Sequence, residues 1–222
     1  MAQEDLKVAI ARHLLDIKAV FLRPDEPFTW ASGIKSPIYT DNRLTLSTPE
    51  VREAVERGLA QTIQQYFPQA QALMGTATAG IAHAAITAYL LDMPMGYVRS
   101  SAKSHGRNNR IEGRLDQGAK VVVVEDLIST AGSVGDVVAA VREAGAEVLG
   151  IVSIFTYGMA AADQRLQEIG MVNHSLTDFD TVVRVAAQEG YIQPSDVARL
   201  LAFRDNPADE SWIDGGSHKA DQ

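Results

Sequence analysis

The sequence predicts a doubly wound α/β fold, a mostly parallel sheet flanked by helices, entered through an irregular N-terminal hood. Three observations carry that prediction. Short, near-continuous apolar runs, "ALMG", "MGYVRS", "KVVVVED" and "EVLGIVSIF", alternate with helical patterns, as strands covered on both faces by crossover helices require. Ahead of them, "FLRPDEPFTWASGIKSPIYTDNRLTL" combines three prolines and one glycine with short β-like runs, which suits an irregular hood. The 222 residues are 46% hydrophobic and 22% charged, the make-up of an ordinary globular chain long enough to bury a core.

Leu6, Ile10, Leu14 and Ile17 recur at helical spacing, so residues 4–19 read as an amphipathic helix. The hood spans residues 21–46. In "STPEVREAVERGLAQTIQQYF", Ser47 or Thr48 serves as N-cap, Pro49 takes the first helical position and Glu50 the first turn, giving a helix over 48–66. "ALMG" ends in a turn before the helix "GIAHAAITAYLLD", and "MGYVRS" runs into a polar loop. "KVVVVED" leads to a helix over 132–144, and "EVLGIVSIF" to one over 160–170. Two capped helices follow, 177–189 behind Thr177 and 195–204 behind Ser195. Residues 1–210 are expected to form one domain, with a hood to about 46 and a core over about 47–205. From 211 the chain is polar apart from Trp212 and Ile213 and is expected to be loose.

The net charge of −8 argues against broad binding to nucleic acid or to an anionic membrane, so any cationic cluster serves a small anion. The chain has no cysteine, which excludes disulfides and thiolate metal sites. Acids and bases interrupt the apolar residues of the N-terminus, and no segment has the roughly 20 apolar residues that span a bilayer. A cytoplasmic protein is expected.

The chemistry concentrates in "VVVVEDLISTAGS", where an apolar strand runs into adjacent carboxylates, Glu125 and Asp126, and then into a small, hydroxylated turn. In open parallel sheets, ligands bind beyond the carboxyl ends of strands. The hydroxyls of Ser129, Thr130 and Ser133 and the following helix N-terminus suit a phosphate. The two acids would repel that phosphate, but they can accept hydrogen bonds from a vicinal diol or stand beside a divalent cation. A phosphorylated sugar fits both halves. A plain capping turn beside surface acids fits the same spacing. The lysine of a Walker A loop is missing.

This stretch resembles the phosphoribosyl-diphosphate (PRPP) signature of the type I phosphoribosyltransferases. Within them the chain is similar to the orotate phosphoribosyltransferases. "FTWASGIKSPIYTDNR" resembles their hood, "GTATAGIAHA" their diphosphate-binding turn and "YVRSSAKSHGRNNRIEG" their catalytic loop. The four motifs stand in the family's order over most of residues 20–160. The resemblance implies the type I fold and transfer of ribose 5-phosphate from PRPP to orotate, in pyrimidine biosynthesis, with Mg2+. It also implies a homodimer whose catalytic loop is shared between subunits.

Residue by residue, the resemblance implies that Glu125 and Asp126 hold the ribose hydroxyls. Leu127, Ile128, Ser129, Thr130, Ala131, Gly132 and Ser133 wrap the 5-phosphate, and Thr76, Ala77 and Thr78 meet the diphosphate. Arg99, Lys103 and His105 match catalytic, PRPP-binding positions. Ser129, Lys35, Tyr39 and Arg43 are candidates for the orotate. Mg2+ would be held mainly by the diphosphate and ribose hydroxyls, with Glu125 and Asp126 nearby. Each segment has a plainer reading as well: a solvated charged loop at 99–113, a tight strand-to-helix turn at 74–81, a packed tyrosine at 39.

The chain departs from part of the family. The resemblance places Ser100 where many members have a lysine, and Ala31 and Ala79 where part of the family has one. Lys35, Arg43 and Arg107 are candidates to replace that charge. A transferase for xanthine or a purine, and a regulator that binds PRPP without turnover, share the Glu125–Asp126 signature. The retained Lys103 and His105, and the lack of a nucleic-acid-binding surface, favour the enzyme.

Overall fold

The computed structural model describes residues 3–30, 33–100 and 110–214. Its centre is a six-stranded sheet whose four internal neighbours run parallel. The strands are β5 (Ala72–Thr76), β6 (Met95–Val98), β7 (Ile111–Glu112), β8 (Lys120–Ile128), β9 (Glu147–Thr156) and β10 (Asn173–Asp178). Their spatial order is β10-β9-β8-β5-β6-β7, and β7 alone is antiparallel to its neighbour. The chain leaves β5 to build β6 on one side, then returns to build β8 on the other. That reversal places the switch point between the carboxyl ends of β5 and β8.

The run of valines explains the two-sided core. Val122 and Val124 pack under α1 (Gln3–Asp16), α2 (Pro49–Tyr66), α3 (Gly80–Leu91), α6 (Phe179–Gln188) and α7 (Asp196–Asp205). Val121 and Val123 pack under α4 (Gly132–Glu143) and α5 (Ala160–Glu168). All four are fully buried, each contributing about 1.5–2 kcal/mol of apolar transfer. A strand covered on both faces has no solvent side to mark with polar residues, so it shows no alternation.

The hood is built from two small antiparallel ribbons, β1 (Val20–Leu22) with β4 (Ile38–Thr40) and β2 (Phe28–Thr29) with β3 (Lys35–Ser36). A 3-10 helix, Asn42–Ser47, joins it to α2. Pro49 opens α2 behind an extended Thr48, whose side chain makes no cap bond.

Three features differ from the sequence expectation. "NHSLTD" forms β10, a polar edge strand in which the hydroxyls of Ser153 and Ser175 lie 2.7 Å apart and Ser153 also donates to Asn173. An edge strand does not need an apolar run, so the signal used for the other strands is absent. Helix α6 therefore starts later than Thr177, and its N-cap is Asp178, which accepts from the Thr181 amide at 2.9 Å. Residues Ser211–Asp214 form a short helix, α8, that buries Trp212 against Phe203 at 5.6 Å, so the first residues after 210 are held rather than loose. No helix among the described residues is long and apolar enough to cross a membrane.

Candidate active site

Strand β8 overruns its neighbour. Its pairing with β5 ends at Val124 opposite Gly75, while its pairing with β9 continues to Ile128 opposite Thr156. Glu125 and Asp126 thus lie past the last β5 pair, beside the loop that leaves β5. The Thr76 hydroxyl donates to Glu125 Oε1 at 2.7 Å, and the Asp126 amide donates to the same oxygen at 2.9 Å. Glu125 is 5% exposed. Burial first, then the hydrogen bond and charge of Asp126, push its carboxyl up to about 8. Burial beside a second carboxyl thus disfavours the charged form of Glu125.

Asn42 fixes this strand end from the hood. Its Nδ2 donates to the Asp126 carbonyl at 2.7 Å, and the residue is buried. Asp41 caps the 3-10 helix through the Arg43 amide and holds the Arg43 guanidinium with both oxygens, at 2.6 and 3.0 Å. That guanidinium keeps the Asp41 carboxyl below the usual carboxylate range.

Two loops close over the carboxylates. After β8, Ala131 takes φ 59°, a left-handed conformation that turns the chain into α4. After β5, the peptide between Ala77 and Thr78 is cis. Gly75 and Gly80 bring strand and helix together: a Cβ on Gly80 would lie 2.5 Å from both Thr76 Oγ1 and the Val124 carbonyl. "MGTATAGI" is therefore both a tight turn and a cavity wall.

Between the loops lies a cavity of about 370 Å³. Thr76, Ala77, Thr78 and Ala79 line one side; Glu125, Asp126, Leu127, Ser129, Ser133 and Asp136 line the other, with Val98, Ser100 and Arg110 at the mouth of β6. Larger cavities of about 500 Å³ lie between α5 and β10 and between the hood and the α6–α7 connection. Neither contains the paired strand-end carboxylates, so chemistry rather than size selects the site.

Other expected residues are distributed around this cavity. Ile128 and Ala131 are buried beneath it, and Thr130 and Gly132 are exposed on the outer turn. Arg99 does not line it; its Nη1 lies 3.6 Å from Glu112 Oε1. Lys35 donates to Thr29 Oγ1 within the hood, and Tyr39, 45% exposed, packs on Phe28 at 5.7 Å. Arg43 stays with Asp41, close enough to feel the charge of Asp126. Ala31, Lys103, His105 and Arg107 lie outside the described residues. Sequence reasoning assigned no role to Asn42 or Asp136, and it counted Arg110 only among the cations of the loop that follows β6. "TDNR" does mark a helix cap, but nothing in it announces a bond to residue 126.

Comparison with known proteins agrees with this geometry. The phosphoribosyl transferase domain family matches residues 45–189. An orotate phosphoribosyltransferase of Bacillus cereus (strain B4264) is 55% identical over 208 residues, 94% of this chain and 99% of the relative. Among solved structures, the orotate phosphoribosyltransferase from Aeropyrum pernix is 28% identical with a TM-score of 0.71, over 82% of this chain and 99% of that one. The UMP synthase of Leishmania donovani is 26% identical with a TM-score of 0.77, over 89% of this chain. This chain spans 42% of that longer protein. A likeness that runs nearly end to end in sequence, on a sheet whose switch point holds the paired acids, has one reading: the chain belongs to the phosphoribosyl transferase domain family and, within it, to the orotate phosphoribosyltransferases.

Proposed function

We propose that the cavity at the β5–β8 switch point is where this chain carries out the transferase reaction of its family. The C1–O bond to diphosphate breaks, a bond from C1 of the ribose 5-phosphate to N1 of orotate forms, the N1 proton passes to the departing diphosphate or to solvent, and orotidine 5-phosphate and diphosphate are released. The observation that carries this reading is the placement of Glu125 and Asp126 between two small-residue loops on one cavity wall.

Each wall then has a task. Leu127 to Ser133 cradle the 5-phosphate through amides, hydroxyls and the start of α4. Asp126 and Glu125 accept hydrogen bonds from the ribose hydroxyls. Because burial beside Asp126 disfavours the charged form of Glu125, the wall repels an incoming polyanion less than two fully ionised carboxylates would. Thr76, Ala77 and Thr78 meet the diphosphate, aided by Arg99, Lys103 and His105. Ser129 and the hood residues Lys35, Tyr39 and Arg43 take the base.

Glu125 and Asp126 are oxygen donors of the kind Mg2+ accepts, and among the described residues no group of three or more His, Cys, Asp or Glu is arranged to hold a metal. Most ligands of such an ion would come from substrate and water. When bound there, Mg2+ would supply positive charge against the departing diphosphate. The same reading makes the molecule a cytoplasmic homodimer that shares its catalytic loop, with residues 1–210 acting as one domain.

The test is an absorbance assay of purified protein with PRPP, Mg2+ and orotate, repeated with uracil, hypoxanthine and xanthine. Orotate consumption that needs both PRPP and Mg2+, with the other bases inert, is the expected result. Turnover of another base would overturn the hood assignment, and PRPP binding without turnover would overturn catalysis.

A further inference from the structure

We infer that Arg110 contacts the diphosphate of PRPP and carries part of the charge that leaves with it; this rests on the function proposed above. The argument begins with strand register. Val98 pairs with Ile111, so the next pair outward sets Arg99 beside Arg110. The Arg99 amide donates to the Arg110 carbonyl at 2.8 Å, and Arg110 Nε donates to the Arg99 carbonyl at 2.9 Å. From this shared base the two arginines part. Arg99 reaches toward Glu112, whereas Arg110 lines the cavity with Ser100 and the Thr76–Ala79 loop.

Charge makes the placement consequential. The described cavity wall carries three carboxyl groups, Glu125, Asp126 and Asp136, and one cation, Arg110. Ala79 and Ser100 on the same wall add none. A diphosphate entering this cavity meets Arg110 as the described wall's cationic side chain. Its planar fork of N–H donors matches phosphate oxygens, and the Nε bond already limits its freedom, so little entropy remains to be lost on binding. A charged hydrogen bond developed against a leaving group acts on the transition state as well as on binding.

The competing role for Arg110 is purely structural, pinning β7 to β6 through its bond to the Arg99 carbonyl. Steady-state kinetics of wild type, Arg110→Gln and Arg110→Lys separate the two, with inorganic diphosphate as product inhibitor. Glutamine keeps an N–H donor and loses the charge; lysine keeps the charge. The expected result is a rise of about 10-fold or more in the PRPP KM and in the diphosphate inhibition constant for Arg110→Gln. The orotate KM stays within about twofold, Tm is nearly unchanged, and Arg110→Lys recovers much of the loss. Unchanged PRPP and diphosphate constants would overturn the inference. So would equal losses for both substrates with a lowered Tm, or a lysine variant no better than glutamine. Absence of any wild-type turnover would count against the proposed function instead. Calorimetric titration of inorganic diphosphate into wild type and Arg110→Gln then decides the arginine's role, weaker binding to the variant supporting it and equal binding overturning it.

Discussion

At the scale of single residues, Glu125 is the least ordinary group in the molecule. Its carboxyl rises from an ordinary 4.5 to about 8 because it is buried beside Asp126. The folded state therefore binds a proton that the unfolded state releases between those two values. Stability contributed by this group is fully present below the unfolded pKa and falls as pH rises toward 8. His174 acts in the opposite sense, because burial lowers its pKa below 6.5. Comparison with Glu125→Gln, which mimics the protonated acid, cancels the histidine. Urea unfolding without metal or substrate, from pH 5 to 8.5, is expected to show wild type losing stability relative to the glutamine variant. A difference that does not change with pH would refute the shifted carboxyl.

At the scale of elements, α3 is positioned at its first residue and along its middle. Inside the protein, Glu56 Oε1 lies 2.6 Å from His83 Nδ1, and Glu56 Oε2 accepts from the Thr87 hydroxyl at 3.0 Å. His83 and Thr87 are one turn apart, so the carboxylate fixes both the rotation and the axial position of an otherwise apolar helix. At the site, Gly80 leaves no space between α3 and the Thr76 and Val124 atoms. Two effects compete in Gly80→Ala. Helix propensity favours alanine by about 1 kcal/mol, whereas overpacking against backbone costs about 1–3 kcal/mol. A clash at 2.5 Å with a backbone carbonyl decides for overpacking. The variant is expected to unfold at lower urea and to lose most PRPP-dependent turnover, since Thr76 must move away from Glu125. Retained stability with full turnover would show that the close approach has slack.

At the scale of the molecule, one arginine joins the hood to the C-terminal helices. Arg199, 8% exposed, donates to the carbonyls of Pro24, Trp212 and Ile213 and to the carboxylates of Asp25 and Asp196, all within 3.1 Å. Asp25 is mostly exposed and adds little. Asp196 is buried, and without its partner it would remain as a buried unpaired charge. Above this clasp Trp30 sits edge-on to both Tyr157 and Phe203, at 5.8 Å each, and Trp212 covers Phe203 from the other side. Arg199→Met is expected to cost about 3–5 kcal/mol, which for this chain length lowers Tm by roughly 10 °C. Limited proteolysis should then cut first beyond residue 205. A Tm within about 2 °C of wild type would show that the aromatic cluster alone holds the hood.

The sequence by itself determined the elements whose signals are local. Apolar runs marked β5, β6, β8 and β9, Pro49 marked the start of α2, and helical spacing marked α1 to within three residues of its end. It also showed the acids and both small-residue loops, because strand, turn and cap chemistry are written over a few neighbours. Only the tertiary structure decided what those residues face. Thr76 meets Glu125 across 49 positions and Asn42 meets Asp126 across 84, contacts that follow from strand order and from β8 outrunning β5. The polar β10, the burial of Trp212 and the turning of Arg110 rather than Arg99 into the cavity have the same origin. Backbone sterics and solvent partition act on a segment alone, whereas a site forms where distant strand ends meet, and their meeting is set by the packing of the whole sheet.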